Sequence, residues 1–294
     1  MRSFDYLEPT SLEEACSSLE QHGDEARPIA GGTGLLIMMR QRLLNPALIV
    51  SLGRIPDFDR FHFNDTDGLT IRAGARHRDI ELDPAVRLHY PLLQETFRKV
   101  AQPRIRNMAT VGGNLCQGDP LTDPGASLMA LDATITLQNT EAKRTLPIED
   151  FFVDYYETAL QPGELLTEIH VPPPKPGLRW AHIKFTPRTV EDFATVGVAV
   201  TIDAENGVCK DARIALNSAG PKIFRARRAE EILRGQRTTD ALIRDAAEAA
   251  SEESDPIEDN RGSADYKREM VKVMVRRAAE QALQRSDKAV SKEI

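Results

Sequence analysis

Two short glycine-rich segments contain the residue types from which proteins build phosphate-binding loops. The first spans 30–35 (Ala-Gly-Gly-Thr-Gly-Leu) and the second spans 110–114 (Thr-Val-Gly-Gly-Asn). Consecutive glycines accept positive φ and let an anion approach N–H groups that a Cβ atom would screen. Apolar residues after each pair predict a helix whose first turn offers more free N–H donors. Either pair alone could be an ordinary turn. Together they predict two walls of one dinucleotide site.

Composition excludes several classes of protein. The chain has 294 residues and a formal net charge of -7, whereas nucleic-acid binding relies on Lys and Arg to neutralise phosphates, so no nucleic-acid partner is expected. No run approaches the roughly 18 apolar residues of a membrane span, and the first residues do not resemble a signal peptide. We therefore expect a cytoplasmic protein of two or three domains, with membrane association at most peripheral.

The cysteines and histidines predict no metal site and no catalytic residue in this chain. Three cysteines, Cys16, Cys116 and Cys209, form no Cys-x-x-Cys pair, and the six histidines are scattered without metal-ligand spacing. A zinc site or an iron–sulfur cluster held by this chain alone is therefore not expected. Any metal chemistry would belong to a partner.

The first part of the chain predicts a βαβ-like unit with the first glycine pair at its turn. A capping box begins at Thr10 and predicts a helix over 11–21, followed by a strand over 27–30, a helix over 35–43 and a strand over 47–52. The unit lacks the G-x-G-x-x-G spacing and the later acidic residue of the Rossmann fingerprint. A standard NAD-binding domain is thus disfavoured.

The rest of the chain predicts mixed strands and helices on either side of a proline-rich break. Before the break we expect strands over 68–75, 133–137 and 165–171 and helices over 91–101 and 123–130. Four prolines within 172–176 remove hydrogen-bond donors and predict a domain boundary. After it we expect strands over 179–185, 194–202 and 209–215, then helices over 224–234, 239–250 and 264–285, with a frayed tail over 286–294. Strands followed by helices predict a small antiparallel sheet covered on one face.

Several of these segments, in this order, resemble the FAD-binding subunit of the molybdenum hydroxylases, of the carbon monoxide dehydrogenase and xanthine dehydrogenase type. Besides the two glycine segments they are Gln-Pro-Arg-Ile-Arg-Asn at 102–107, Gly-Glu-Leu-Leu-Thr-Glu-Ile-His-Val-Pro at 163–172, Arg-Thr-Val-Glu-Asp-Phe-Ala at 188–194, and the helix start at 261–270. The resemblance covers nearly the whole chain. It implies an α+β fold: two subdomains of the PCMH-type FAD-binding fold, 1–57 and 58–174, followed by a C-terminal domain, 178–290, with a three-stranded antiparallel sheet and helices.

The resemblance also implies which residues bind FAD. These positions match the family's contacts: Ala30, Gly31, Gly32, Thr33, Gly34, Leu35, Thr110, Gly112, Gly113, Asn114, Asp123, Leu166, Lys184 and Phe193. Two positions depart from the family pattern. Gly34 replaces the Asp or Ser of many relatives, which removes a side-chain contact, and Phe193 lacks the hydroxyl of a Tyr.

For function, the resemblance implies an FAD-carrying electron-transfer subunit. Its expected partners are a small subunit with 2Fe-2S clusters and a large molybdopterin subunit, in a dimer of heterotrimers. Electrons would pass from the clusters to FAD and then to NAD, a quinone or oxygen, and neither this acceptor nor the substrate is identified. A self-contained FAD-dependent reductase or oxidase and a non-catalytic nucleotide-binding protein remain the alternatives.

Overall fold

The computed structural model describes residues 2–285. The predicted tail over 286–294 and the last residues of the predicted segment 178–290 lie outside the described residues. Two hydrophobic cores organise the chain. One is built by residues before the proline-rich break with a few from beyond it, and the other is built by the C-terminal part.

A small parallel sheet opens the chain and positions the first glycine segment. Its elements are β1 (Asp5–Leu7), α1 (Leu12–His22), β2 (Ala26–Ile29), α2 (Leu35–Arg40) and β3 (Leu48–Ser51), with strand order β1-β3-β2. The predicted N-terminal cap is present, with Ser11 as the N-cap whose Oγ accepts from Glu14 N at 3.1 Å; the Glu14 carboxylate accepts in return from Thr10 N at 2.8 Å, one residue before the N-cap. Helix α2 is shorter than predicted, since Arg42 takes a left-handed φ of 64° that ends the helical path.

A five-stranded antiparallel sheet follows. Its strands are β4 (Phe61–Asn64), β5 (Gly68–Arg72), β6 (Thr134–Gln138), β7 (Lys143–Pro147) and β10 (Leu165–Val171), in the order β4-β5-β10-β6-β7. Between β5 and β6 lie α3 (His77–Leu82), α4 (Pro84–His89), α5 (Pro91–Lys99), α6 (Pro103–Arg106), α7 (Val111–Cys116) and α8 (Asp123–Ala130). A hairpin of β8 (Phe152–Asp154) and β9 (Glu157–Thr158) precedes β10. Fully buried Ile71, Phe97 and Ile169 join this sheet and its helices to the first core.

The C-terminal part is an antiparallel sheet with three helices. Its elements are β11 (Arg179–Phe185), β12 (Val196–Glu205), β13 (Val208–Asn217), β14 (Phe224–Arg225), α9 (Arg227–Leu233), α10 (Asp240–Glu253) and α11 (Ala264–Gln284). The three long strands agree with the expected sheet, and the short β14 adds a fourth strand beside β13. The sheet is covered on both faces rather than one. Val198 and Val200 of β12 join the second core, which the three helices complete, whereas Ala199 between them joins the first core.

Helix α8 docks the first half of the chain on the C-terminal sheet. Thr201 Oγ1 of β12 donates to Ala130 O at 2.9 Å, and Arg213 Nε of β13 donates to Asp132 Oδ1 at 2.6 Å. Within 2–285, no helix is long and apolar enough to cross a membrane.

A buried histidine gives the first half a specific sensitivity to acid. His77 begins α3, is fully buried beside Phe97, and neither of its ring nitrogens has a hydrogen-bond partner. Burial lowers the pKa of His77 from 6.5 to about 4; the nearby backbone of Thr110 opposes this shift and the positive charge of Arg106 adds to it. The ring is therefore neutral in the folded protein at pH 7.

We expect this histidine to cost stability as the pH falls from 6.5 to about 4. The unfolded chain takes up a proton in that window while the folded chain does not, so the free energy of unfolding drops by about 3 kcal/mol. His77→Leu should remove that part of the pH dependence in urea titrations at several pH values. The control is the same substitution at an exposed histidine, His62→Leu. An identical slope in wild type and His77→Leu would contradict the assignment.

Candidate functional site

The first glycine segment presents a row of free backbone donors. In the described chain, the N–H groups of Gly31, Gly32, Thr33, Gly34 and Leu35 donate to no acceptor. Gly32 has a φ of 69°, so the predicted positive φ is present at that residue. Residues 31–35 are half-buried. A row of free N–H groups suits an anion with several oxygen atoms.

The second glycine segment has a different structure from the one its sequence predicts. Its glycines lie inside α7, with Thr110 as the N-cap accepting from Gly113 N at 3.1 Å, so the expectation of a helix that follows the pair is wrong. Neither glycine has a positive φ. Gly112 N donates to Ala73 O at 2.9 Å, and Asn114 N donates to Thr110 O at 3.0 Å. These amides are used within the fold, so the segment offers side chains rather than N–H groups.

Glycine is needed at position 112 for close packing. A Cβ atom there would lie 2.5 Å from the Cβ of Ala73 and 2.8 Å from its carbonyl oxygen. One side chain of the segment remains available, because the Oδ1 atom of Asn114 is buried and has no hydrogen-bond partner. An unpaired buried polar atom is unusual in a native fold and suits a position that faces a ligand.

The two segments are in contact with each other. A Cβ atom on Gly31 would overlap the carbonyl oxygen of Met108, just before the second segment. A Cβ atom on Gly34 would lie 2.7 Å from Gln117 Oε1, and Gln117 Nε2 lies 3.2 Å from Met38 Sδ. Gln117 thus occupies the space that the missing side chain at position 34 would need. The structure brings the segments together, and their joint binding of FAD stays a prediction.

Asp123 and Lys184 form a buried ion pair between the two halves of the chain. Lys184 Nζ of β11 lies 2.9 Å from Asp123 Oδ2 of α8 and donates to Lys99 O at 2.9 Å, and both side chains of the pair are at most 5% exposed. Burial raises the pKa of Asp123, and the ammonium of Lys184 opposes that rise. Asn217 Nδ2 lies 3.5 Å from Asp123 Oδ1, and its own Oδ1 has no partner. Sequence reasoning found both charged residues but not their pairing.

Two further predicted residues lie at the edges of this arrangement. Leu166 is buried in β10, on which α7 packs. Phe193 lies in the loop between β11 and β12 and is 46% exposed, with the Arg261 guanidinium 5.6 Å from its ring centre. Sequence reasoning gave Arg261 and Gln117 no role. Arg261 contacts Phe193, and Gln117 fills the space beside Gly34. Contacts between separate segments such as these leave no periodic pattern in the sequence.

The site contains no evident base or reactive thiol. His182, two residues before Lys184, is buried, and burial together with the charges of Lys99 and Lys184 holds its pKa well below 6.5. Burial raises the pKa of Cys116 to about 12, so its thiol stays protonated. Within 2–285, no group of three or more His, Cys, Asp or Glu side chains could hold a metal ion. The arrangement suits anion and ring binding rather than acid–base chemistry.

Two family models match most of the chain, one after the other. Residues 2–174 match the FAD binding domain in molybdopterin dehydrogenase, and residues 181–282 match the CO dehydrogenase flavoprotein C-terminal domain. The chain belongs to the molybdopterin dehydrogenase flavoprotein family. FAD is therefore its cofactor, and the chain is an oxidoreductase subunit.

Relatives and a solved structure agree with this family. The chain is 35% identical to the carbon monoxide dehydrogenase medium chain of Hydrogenophaga pseudoflava, covering 94% of this chain and 95% of the relative. It is 34% identical to the 6-hydroxypseudooxynicotine dehydrogenase complex subunit alpha of Paenarthrobacter nicotinovorans, covering 97% and 96%. The structure of carbon monoxide dehydrogenase from Hydrogenophaga pseudoflava, in a form that lacks the Mo-pyranopterin moiety, superposes with a TM-score of 0.94 at 36% identity, covering 97% and 99%. The α+β fold expected for the family is thus confirmed.

Proposed function

We propose that the pyrophosphate of FAD binds the loop at residues 31–35, beside Asn114. The observation that carries this proposal is the row of five backbone N–H groups without an acceptor. The residues present fit the cofactor, since positions 31, 32 and 34 are glycines and the N–H groups of the loop therefore have no side chain of their own to cover them. The half-buried position of the loop also strengthens such hydrogen bonds relative to those in bulk water.

The phosphate contacts need support from the rings of the cofactor. A hydrogen bond to a charged group contributes about 1.5–3 kcal/mol, whereas micromolar binding requires about 8 kcal/mol after the entropic cost of association. We assign the contacts with the rings to Leu166 on β10, Lys184 on β11 and Phe193 in the loop after β11, around the junction of the two halves. The division of the chain at residues 57 and 174 remains our proposal for the subdomains.

The role of this chain is then to hold the flavin and pass electrons. Bound FAD supplies the redox chemistry, and the protein orients it and sets its electrostatic environment. Lys184 and Asp123 place a compensated charge pair at the site, and neutral His182 adds no charge. No residue found here is positioned as a general base. This absence, within the described chain, favours an electron-transfer role over the alternative of a self-contained oxidase.

Electrons are proposed to arrive from 2Fe-2S clusters of a small subunit and to leave for an external acceptor. A large molybdopterin subunit completes the complex, as a dimer of heterotrimers in the cytoplasm. The names of the relatives, a "medium chain" and a "complex subunit alpha", support such an assembly. Those relatives act on different substrates at nearly equal identity to this chain. The large subunit is therefore the proposed site of substrate selection.

The proposal predicts that one carboxylate beside the loop weakens flavin binding. Gly113 is exposed, and a Cβ atom there would meet only Thr110 Oγ1, at 2.8 Å. Gly113→Asp places a negative charge near the phosphates, whereas Gly113→Asn has the same shape without the charge. We expect Asn to leave flavin content nearly unchanged and Asp to lower FAD affinity about tenfold or more, by a repulsion of about 1.4 kcal/mol.

The measurement is titration of the flavin-free full chain with FAD, followed by absorbance and flavin fluorescence. Equal affinities for the two variants would contradict the phosphate position. A wild-type chain that binds no FAD would contradict the proposal as a whole. Bound FAD that reduced partner subunits could not reduce would instead favour the non-catalytic alternative.

A further inference from the structure

Lys99, the last residue of α5, is joined to β11 by two reciprocal hydrogen bonds. Its carbonyl oxygen accepts from Lys184 Nζ at 2.9 Å, and its own ammonium donates to His182 O at 3.0 Å. The last carbonyls of a helix have no partner within the helix and form the negative end of its dipole, so they suit an ammonium group. The two bonds therefore fix the end of α5 against the strand that carries Lys184.

Lys184 keeps one hydrogen-bond donor for a ligand. In the described chain its ammonium has two acceptors, Asp123 Oδ2 and Lys99 O, each at 2.9 Å. An ammonium group carries three N–H donors, and the Lys184 side chain is only 2% exposed, so bulk water does not supply the third acceptor. A buried donor without an acceptor is costly, and the third N–H therefore suits an acceptor atom of the flavin.

Glu95, one turn earlier on α5, holds the ammonium of Lys99 in place. Its Oε1 atom accepts from Lys99 Nζ at 2.7 Å, and its Oε2 atom accepts at 3.1 Å from Nη2 of Arg285, just beyond the end of α11. Burial raises the pKa of Glu95, but the hydrogen bonds and charges of Lys99 and Arg285 outweigh it and hold the pKa below its usual value. The carboxylate is therefore ionised at neutral pH and is shared by two cations.

Arg285 ties this group to the C-terminal part of the chain. Its guanidinium lies 3.4 Å from the ring centre of Trp180 on β11, while it pairs with Glu95 on α5. The side chains of Glu95, Lys99 and Arg285 are between 17% and 27% exposed, so salt screens their ion pairs less than it screens fully exposed pairs. The end of α11 is thus held to both α5 and β11.

We propose that Lys99 is a positioning residue for Lys184 in the flavin site, and that Glu95 and Arg285 keep Lys99 in place. The inference rests on the proposed function, in which Lys184 contacts the rings of FAD. Contacts run without a gap from Arg285 through Glu95 and Lys99 to Lys184. The direction of the third N–H of Lys184 is therefore set by the end of α5 as well as by Asp123.

Lys99 also brings positive charge close to the site. Burial raises the pKa of Asp123 and lowers that of His182, and the charge of Lys99 opposes the first shift and adds to the second. Reduction adds electrons to the flavin, so a positive charge nearby stabilises the reduced form and raises the midpoint potential, whereas the negative charge of Glu95 lowers it. Removal of the Lys99 charge and removal of the Glu95 charge should therefore shift the potential in opposite directions.

The test uses the full chain, first without flavin and then loaded with FAD. Titration of the flavin-free chain gives the FAD affinity, and an anaerobic redox titration followed by flavin absorbance gives the midpoint potential. Lys99→Met removes the ammonium, Lys99→Arg keeps its charge, and Glu95→Gln removes only the charge of the carboxylate. Lys272→Met is the matched control, because Lys272 also pairs with a glutamate, Glu248, but at the surface.

We expect Lys99→Met to weaken FAD binding about threefold to tenfold and to lower the midpoint potential. Lys99→Arg should restore most of both, Glu95→Gln should raise the potential, and Lys272→Met should match wild type. If Lys99→Met matched the control, or lost affinity with no change in potential, the positioning role would be overturned. A shift of the potential in the same direction by Lys99→Met and Glu95→Gln would overturn it as well. A wild-type chain without FAD would instead refute the proposed function, which flavin content reports separately.

Discussion

Gly31→Ala is expected to lower FAD affinity about a hundredfold or more and to destabilise the first half of the chain by about 3 kcal/mol. A Cβ atom at this position would overlap the carbonyl oxygen of Met108 and lie 2.7 Å from its carbonyl carbon. Backbone atoms cannot rotate away as a side chain can, so the glycine loop must move. The shift would misplace at least two of the free N–H donors, which together account for about 3 kcal/mol of binding.

Flavin titration and urea unfolding measure the two effects. Gly53→Ala is the matched control, because a Cβ atom there would meet only Ser51 Oγ, at an ordinary 3.6 Å. The single tryptophan, Trp180, lies in β11 and reports whether the C-terminal sheet stays folded. If Gly31→Ala bound FAD as tightly as Gly53→Ala, the contact between the two glycine segments would not shape the site.

Lys184→Met is expected to destabilise the protein by about 3–5 kcal/mol at neutral pH. The substitution leaves the Asp123 carboxylate buried without its partner, which costs more than the ion pair itself contributes. Asp123→Asn combined with Lys184→Met removes both charges and should recover most of the loss. The deficit of the single variant should also shrink as the pH falls. Burial raises the pKa of Asp123 in the folded state. On acidification the folded variant therefore binds a proton at Asp123 at a higher pH than the unfolded chain does, and this proton removes the unpaired buried charge.

Urea unfolding at several pH values, followed by Trp180 fluorescence, tests this pair. Lys272→Met is the control, because Lys272 makes its ion pair with Glu248 at the surface and its loss should not change the midpoint measurably. A double variant no more stable than Lys184→Met would show that the lysine acts by packing rather than by charge.

Much of the architecture was predictable because local patterns and tertiary structure agree there. The strands at 165–171 and 179–185 have the bounds that their apolar patterns predict, and the proline-rich break between them separates the two family matches. The capping box at Thr10 likewise predicts the start of α1. In each case the information lies within a few neighbouring residues.

The parts that sequence did not predict depend on contacts between distant segments. Glycines disfavour a helix, yet Gly112 and Gly113 lie inside α7. Glycine is required at position 112 because the backbone there comes too close to Ala73 for a side chain, and this tertiary contact is not visible in the local sequence. The two-residue strand β14 is too short to show a period. The pairing of Asp123 with Lys184 depends on how α8 docks on the C-terminal sheet, which no local pattern encodes.

The ion pair between α8 and β11 has a consequence for how the protein acquires its cofactor. The glycine loop near the start of the chain and Lys184 are made at different times during synthesis, so the proposed site is complete only after the C-terminal sheet has docked. At that proposed site flavin would contact both halves, bind the docked form preferentially and, by mass action, favour it. Cofactor binding and final assembly of the chain would then be one coupled step, and a newly made chain without flavin would keep its two halves more loosely joined.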